Sequence, residues 1–313
     1  MPQQKIIAIV GPTSSGKSAL GIYLAQKLGG EVISADSRQV YKGLDIGTGK
    51  VTKREMQDVP HHLLSVASPK RQFSADDFIK KASKACSDIL KNNRMPIVVG
   101  GTGFYVDALL GRMSFPQVPP NPPLRARLEK KSVSELYKLL KKKDPVRAKT
   151  IEPKHKRRLI RALEIAQGRR HTSRSEHKTW ASAPERTSEG GVPPYQTLWL
   201  GLSPTLPTLK KNIRMRLFAR IRAGMIAEAK RLHNPQAGGG LSYKRMEELG
   251  LEYRSLARFL QDKINKQEFE TGLERAINNY AKRQMRWFKR NKDIKWITSK
   301  AEALRLAKSF LSR

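Results

Sequence analysis

Hydrophobic residues along this chain recur in two periods, and the alternation between them outlines a fold. Lys5 to Val10 (KIIAIV) is an apolar, β-branched run that predicts a buried strand and ends in GPTSSGKS. From Ala19 to Leu28 the residues Leu20, Tyr23, Leu24 and Leu28 follow helical spacing, so the order is strand, glycine-bounded loop, helix. Glu31 to Ala35 (EVISA) predicts a second strand ending at Asp36. Ser74, with Asp77 three residues on, predicts the N-cap of a helix reaching Lys91. Met95 to Val99 predicts a third strand that runs into Gly100, Gly101, Thr102 and Gly103. Strands alternating with helices imply a parallel sheet covered on both faces.

The pattern changes at FPQVPPNPP, beginning at Phe115, because no helix interior or central strand accommodates so many prolines. Leu124 to Gln167 then predicts several basic helices, and His171 to Pro194 is rich in Ser, Thr, Gly and Pro, as expected of an exposed loop. Tyr195 to Leu202 (YQTLWLGL) is again strand-like. The sheet is therefore expected to resume there, which makes the middle segment an insertion. Leu209 to Leu232 and Glu247 to Lys289 carry long helical patterns that would close the fold. The expected class is α/β, with a parallel-sheet core from residues 1–114 and 193–313 and a helical domain inserted at 115–192.

Charge separates the roles of these parts. The 313 residues include 62 Lys and Arg against 27 Asp and Glu, a net +35, of which only +7 falls in residues 1–120 and +28 in the remainder. So large a surplus repels itself in a compact state and calls for a polyanionic partner, with nucleic acid the first expectation. With 38% apolar residues, wholesale disorder and collagen-like rods are excluded. The single Cys, Cys86, cannot form an internal bridge and suits a reducing compartment. No run of 18 apolar residues exists, so no membrane partner is expected and a cytoplasmic location is.

Gly11, Pro12, Thr13, Ser14, Ser15, Gly16, Lys17 and Ser18 satisfy the phosphate-loop pattern, in the strand-to-helix context that pattern requires. The two glycines let successive N–H groups turn inward, Lys17 adds a cation and Ser18 can ligate Mg²⁺, so the loop would hold a diphosphate. The core is accordingly expected to be P-loop NTPase-like. In nucleotide hydrolases a second apolar strand ends in an Asp that helps hold the metal. Here MPIVVGGT ends in glycines and Thr102, which argues against ATP hydrolysis. The next acid is Asp36, at the carboxyl end of a neighbouring strand where ligands gather in open α/β sheets. Asp after a strand is also a common turn or cap acid.

Taken together, GPTSSGKS at 11–18, SADSRQVYKGLDIGTGK at 34–50, PHHL at 60–63, FSADDF at 73–78, VVGGTGFY at 98–105, RRLIRALE at 157–164 and YAKRQMRWFKR at 280–290 resemble the tRNA dimethylallyltransferases, or tRNA isopentenyltransferases, in order over nearly the whole chain. The resemblance implies transfer of a dimethylallyl group from dimethylallyl diphosphate to N6 of the adenine 3′ of the anticodon, in tRNAs reading codons that begin with U. The loop and Lys17 would then hold the diphosphate leaving group, with Mg²⁺ as cofactor. An adenine amino group is a poor nucleophile, so a carboxylate placed to take its proton should help, and Asp36 is the candidate. By resemblance Ser37, Arg38 and Gln39 line the adenine site, Thr102 lies where amine and diphosphate meet, and Arg216 clamps the diphosphate opposite Lys17. The family's first Arg of that helix is replaced by Asn212, with Arg214 nearby.

Expected tRNA contacts are Arg125 by charge; Arg157, Arg158, Leu159, Ile160 and Arg161 of RRLIRALE; Tyr253 and Arg254 by resemblance; and Lys282, Arg283 and Gln284 of the basic, aromatic YAKRQMRWFKR run. Read from spacing alone, Arg157, Arg158 and Arg161 could share one helix face, and such a face is as often simply solvated. Lys154 and His155 stand where the family commonly has Asn and Asp, and Ile277 and Asn278 where it often has Thr and Arg. His61 and His62 are adjacent, not spaced i, i+4, so a metal pair is not expected. Cys86 is expected to be buried filler. No Cys and His set for a zinc finger exists, which suits the compact bacterial form, and a monomer is expected. On residues alone three rivals stay open: prenyl transfer to free adenine nucleotides, an ATP-dependent small-molecule kinase, and a non-catalytic RNA-binding module. A passage admitting donor from one side and adenine from the other is expected of the first choice.

Overall fold

A computed structural model describes residues 4–113, 116, 118–168 and 195–313. The chain divides into two compact units, Met1–Leu110 with Pro194–Arg313, and Gly111–Pro193. The expected loop at His171 to Pro194 lies outside the described residues.

The first unit begins β1 (Lys5–Val10), α1 (Lys17–Leu28), β2 (Gly30–Ser34), α2 (Lys53–Met56), β3 (His61–His62), α3 (Ala75–Lys91), β4 (Met95–Gly100) and α4 (Gly103–Leu109). After the second unit it resumes with β5 (Gln196–Leu202) and closes with α9 to α14 and β6, described below. The sheet order is β3-β2-β4-β1-β5-β6, with β6 at Lys295–Ile297, and every pairing is parallel. Each central strand is therefore buried on both sides, and the alternation along β1 shows it: Ile6, Ala8 and Val10 pack toward α3 and α4, and Ile7 and Ile9 toward α1. Cys86 lies in the first of these cores. Burial pushes its thiol up to about 12, which leaves it inert as a nucleophile. Helix α3 starts as its sequence implies, with the Ser74 hydroxyl accepting from the Asp77 amide and the Asp77 carboxylate from the Ser74 amide.

The edge strands β3 and β6, of two and three residues, carry too little pattern to be seen in sequence. The C-terminal helices also differ from the expected long runs. Gly224, at φ 99°, ends the first run and separates α9 (Leu206–Arg222) from α10 (Met225–His233). Gly250, at φ 77°, parts α11 (Tyr243–Leu249) from α12 (Leu251–Phe259), and a turn precedes α13 (Lys266–Phe288). Broken in this way, α9 to α13 fold on one another around Leu217, Met225, Leu256, Phe269 and Leu273. The last helix, α14 (Lys300–Leu311), covers the α1 face of the sheet through Ala303 and Ala307.

The second unit holds α5 (Pro122–Glu129), α6 (Val133–Lys143), α7 (Pro145–Thr150) and α8 (Lys156–Gly168) around its own core of Leu124, Leu128, Leu136, Leu140, Leu159 and Leu163. Leu159 and Ile160 are buried there, 0% and 4% exposed, so the expectation that these two side chains touch tRNA is corrected. Arg161 and Arg125 are half-buried and bound to protein. Both donate to Glu164, whose carboxylate is 1% exposed: Arg125 through Nε at 2.9 Å and Nη2 at 2.8 Å, and Arg161 through Nη1. Burial acts to raise the Glu164 carboxyl, but the Arg125, Asn121 amide and Arg161 hydrogen bonds outweigh it and hold it below its ordinary value. Arg125 joins α5 to α8, and Arg161, also donating to the Val118 carbonyl at 2.8 Å, joins α8 to the segment before α5. Arg157 and Arg158 are exposed, whereas Arg161 is half-buried and bound to Glu164.

Candidate active site

The ligand end of a parallel sheet is its carboxyl edge, and the loops leaving β1, β2 and β4 meet there. They border a cavity of about 1020 Å³, whose other walls come from the 48–55 segment, α9, and the facing parts of α12 and α13. Thr13, Ser14, Ser15, Gly16, Lys17, Ser18, Asp36, Ser37, Arg38, Gln39, Arg216, Arg254, Arg283 and Gln284 all line it, so the chain brings most of the sequence-identified residues together.

The cradle has the backbone a phosphate loop needs. Gly11 sits at φ 146°, and a Cβ there would lie 2.5 Å from the Leu202 carbonyl oxygen; Gly16, at φ 92°, leads into α1. The first amides of α1 have no intrahelical partner, which leaves them and the positive helix end for an anion. Ser15 Oγ is buried with no hydrogen-bond partner among the described residues, a polar atom suited to a ligand oxygen. Lys17 Nζ donates to the Pro12 carbonyl at 2.5 Å. Its ammonium is lowered to about 7, first by burial and next by the Arg216 charge, with Asp36 opposing. Three charges therefore share one small space: two cations, Lys17 and Arg216, and the Asp36 carboxylate.

Arg216 reaches that space from α9 and is held by a bond from Nη2 to the Gly49 carbonyl at 2.8 Å. Gly49 is left-handed (φ 59°), and a Cβ would strike the guanidinium at 2.6 Å. The loop carrying Gly49 is itself organised by buried Glu228, whose carboxylate accepts from the Asp45, Ile46 and Gly47 amides at 2.9, 2.7 and 2.9 Å and from the Tyr253 hydroxyl at 2.7 Å. Tyr253 is 1% exposed, so it supports this loop and the expectation of a tRNA contact from its side chain is corrected. Asn212 donates to the Ser14 carbonyl at 3.3 Å, whereas Arg214 is exposed, lies 3.6 Å from Glu274 and does not line the cavity.

Asp36 closes a turn: Oδ1 accepts from the Arg38 and Gln39 amides at 2.8 and 3.2 Å. The turn role and the cavity-facing role thus coexist in one carboxylate. Thr102 lies between cavity-lining Gly101 and Ser37, its hydroxyl accepting from the Ser37 amide at 3.1 Å, next to Asp36 in the chain. Gln284 is 6% exposed and bonds to backbone at both ends of its amide. Lys282 is exposed and off the cavity wall. Tyr280 lines the cavity and was missed in the sequence, although its spacing from Arg283 and Gln284 places all three on one helix face. Burial and the Asp36 charge raise its phenol above the ordinary range. Glu228 was missed because nothing local distinguishes it from a surface acid.

No group of three or more His, Cys, Asp or Glu that could hold a metal occurs among the described residues. His61 Nδ1 bonds to the Val59 carbonyl and His62 Nε2 to Glu31, consistent with two successive strand residues facing opposite ways. A metal here would rest on the Ser18 hydroxyl, ligand oxygens and water, a donor set that suits Mg²⁺.

A six-stranded parallel sheet carrying a glycine-lysine anion cradle at its carboxyl edge defines a protein of the phosphate-loop α/β class. A family profile described as IPP transferase matches residues 39–291, and the chain belongs to that family. It is 42% identical over 286 residues to tRNA dimethylallyltransferase 2 of Treponema denticola, covering 91% of each chain. Among solved structures it resembles the tRNA isopentenylpyrophosphate transferase of Bacillus halodurans (32% identity, TM-score 0.69, covering 99% of this chain and 96% of that one). A eukaryotic dimethylallyltransferase acting on tRNA superposes with TM-score 0.80 at 25% identity, covering 99% and 80%.

Proposed function

We propose that this chain transfers the dimethylallyl group of dimethylallyl diphosphate to N6 of the adenine 3′ of the anticodon, in tRNAs that read codons beginning with U. The observation that carries the reading is the convergence of the loop, Lys17, Arg216 and Asp36 on one cavity. In the reaction the bond between the allylic carbon and the diphosphate oxygen breaks, and the adenine N6 to carbon bond forms. Positive charge grows on the allylic carbon and negative charge on the departing diphosphate, so donors already aimed at that diphosphate stabilise the transition state more than the ground state. Lys17 and Arg216 act on it from two sides. Asp36 takes the N6 proton; its Oδ1 is held by two amides, and no described group donates to Oδ2. Mg²⁺, held by Ser18 and the diphosphate oxygens, would offset leaving-group charge when bound.

Donor and adenine would approach from opposite sides of the cavity, because the anticodon loop is single-stranded and its base is cheaply splayed. Arg38, Arg254 and Arg283 at the cavity and exposed Arg157, Arg158 and Lys282 supply the phosphate contacts. The reading places the protein in the cytoplasm as a monomer; no described helix is long and apolar enough to cross a membrane. The test is labelled dimethylallyl diphosphate with Mg²⁺ and either tRNA, AMP or ATP plus an acceptor pool. Label in tRNA is expected. Label in AMP, or phosphate transfer from ATP, defeats the proposal.

A further inference from the structure

One side chain ties the donor side of this site to its acceptor side. Gln284, on α13, accepts from the Thr13 amide through Oε1 at 2.8 Å and donates from Nε2 to the Gly101 carbonyl at 2.8 Å. Thr13 belongs to the loop after β1, and Gly101 to the loop after β4. The amide group is polar at both ends in opposite senses, and each end meets the complementary backbone group. Gly101 shows how closely the parts fit: a Cβ there would collide with Gln284 Nε2 and meet its Cδ at 3.4 Å and the Gly11 carbonyl oxygen at 3.7 Å.

The connection continues. The residue after Gly101 is Thr102, whose hydroxyl accepts the Ser37 amide at 3.1 Å, next to Asp36 in the chain. A hydrogen-bonded path thus runs from the diphosphate cradle through Gln284 and Thr102 to the residue beside the proton acceptor. We infer that Gln284 is a positioning residue that sets the spacing between leaving group and attacking amine, and that it does not contact tRNA. Its side chain is 6% exposed and each end of its amide is already bonded to backbone, so it is committed to holding the two loops. Displacement of reacting groups by about 1 Å costs about 100-fold in rate.

The inference rests on the prenyl-transfer reading, and wild-type enzyme assayed alongside keeps the two apart. Gln284→Glu preserves the acceptor for Thr13 but sets a second carboxylate oxygen against the Gly101 carbonyl. When that carboxyl is protonated, its O–H donates to Gly101 and the bridge is restored. Gln284→Met fills the space with no bridge at any pH. Single-turnover transfer at saturating donor and tRNA is measured from pH 5.5 to 8.5, with tRNA affinity by anisotropy. Relative to wild type, Gln284→Glu is expected to fall about 100-fold at the alkaline end and to recover toward acid, Gln284→Met to stay low throughout, and tRNA Kd to remain within about twofold in both. An unchanged saturating rate with tenfold weaker tRNA binding overturns the inference, as does a Gln284→Glu ratio that is flat with pH. Should Gln284→Met fail to fold, the acid recovery of Gln284→Glu decides the matter alone. Wild type that transfers no label to tRNA overturns both readings.

Discussion

The proton-acceptor role proposed for Asp36 and its role in the turn can be separated by substitution. In Asp36→Asn the amide oxygen can still accept from the Arg38 and Gln39 amides, so the turn after β2 is kept while the proton acceptor is lost. A general base contributes about 10²–10⁴-fold, so single-turnover transfer at saturating substrates should fall by about that factor with the melting temperature near wild type. Asp36→Ala removes the turn acceptor too, at about 1 kcal/mol, or about 2–4 °C for a unit of this size. Asparagine has a second consequence. The Asp36 charge supports protonation of Lys17, so its loss lowers the lysine below about 7 and weakens donor binding at neutral pH, an effect that acidification reverses. The assays are radiolabel transfer under single turnover, donor binding by calorimetry and thermal unfolding. If Asp36→Asn transfers within threefold of wild type, the proton-acceptor assignment fails; if the asparagine and alanine variants melt alike, the turn role of Oδ1 fails.

Further outcomes follow from other parts of the structure. Lys17 sits at about 7 in the folded protein against about 10.4 unfolded, so between those values the unfolded state holds more protons and stability climbs with pH; Lys17→Met should flatten this rise in a melting series. Inorganic diphosphate should bind more weakly above pH 7, by up to about tenfold per pH unit, relative to Lys17→Arg, whose charge persists; parallel curves by calorimetry count against the shifted lysine. Glu164→Gln removes the buried counter-charge of the half-exposed Arg125 and Arg161 and should destabilise the second unit by about 1–3 kcal/mol, read by hydrogen exchange across α5 and α8. Because the Glu164 carboxyl is depressed, its contribution is present above the ordinary carboxylate pKa and is lost as pH falls through the lower folded value. Changing Arg157 and Arg158 together to Gln should reduce the slope of log tRNA affinity against log salt by about 0.7–0.9 for every phosphate that the pair neutralises, while Arg125→Gln changes stability instead.

Much of the site was legible because local geometry demands particular residues in a row. Gly11, Gly16 and Lys17 form a cradle through the chain's own turn, and the strand before it and helix after it show in the hydrophobic periods. Asp36 was legible from its place just past a strand end. Arg216 was reached through resemblance, since an Arg on an amphipathic helix carries no local mark of its target. The arginines of α8 show the limit: Arg157 and Arg161 look equivalent in sequence, yet one is exposed and the other is bound to Glu164.

Strand and helix order, the anion cradle and the excess of positive charge can be read from the residues alone, because periodicity, glycine φ and composition act over a few residues or over the whole chain without reference to contacts. Which polar groups turn to the cavity and which to protein depends on the packed fold. Glu228 fixing the 45–47 amides, Tyr253 committed to Glu228 and Gln284 joining Thr13 to Gly101 are pairings across 25 to 271 residues. A hydrogen bond of 2.8 Å such as that from Gln284 to Gly101 depends on where two distant backbones come to rest, and that follows from the packing of the whole unit.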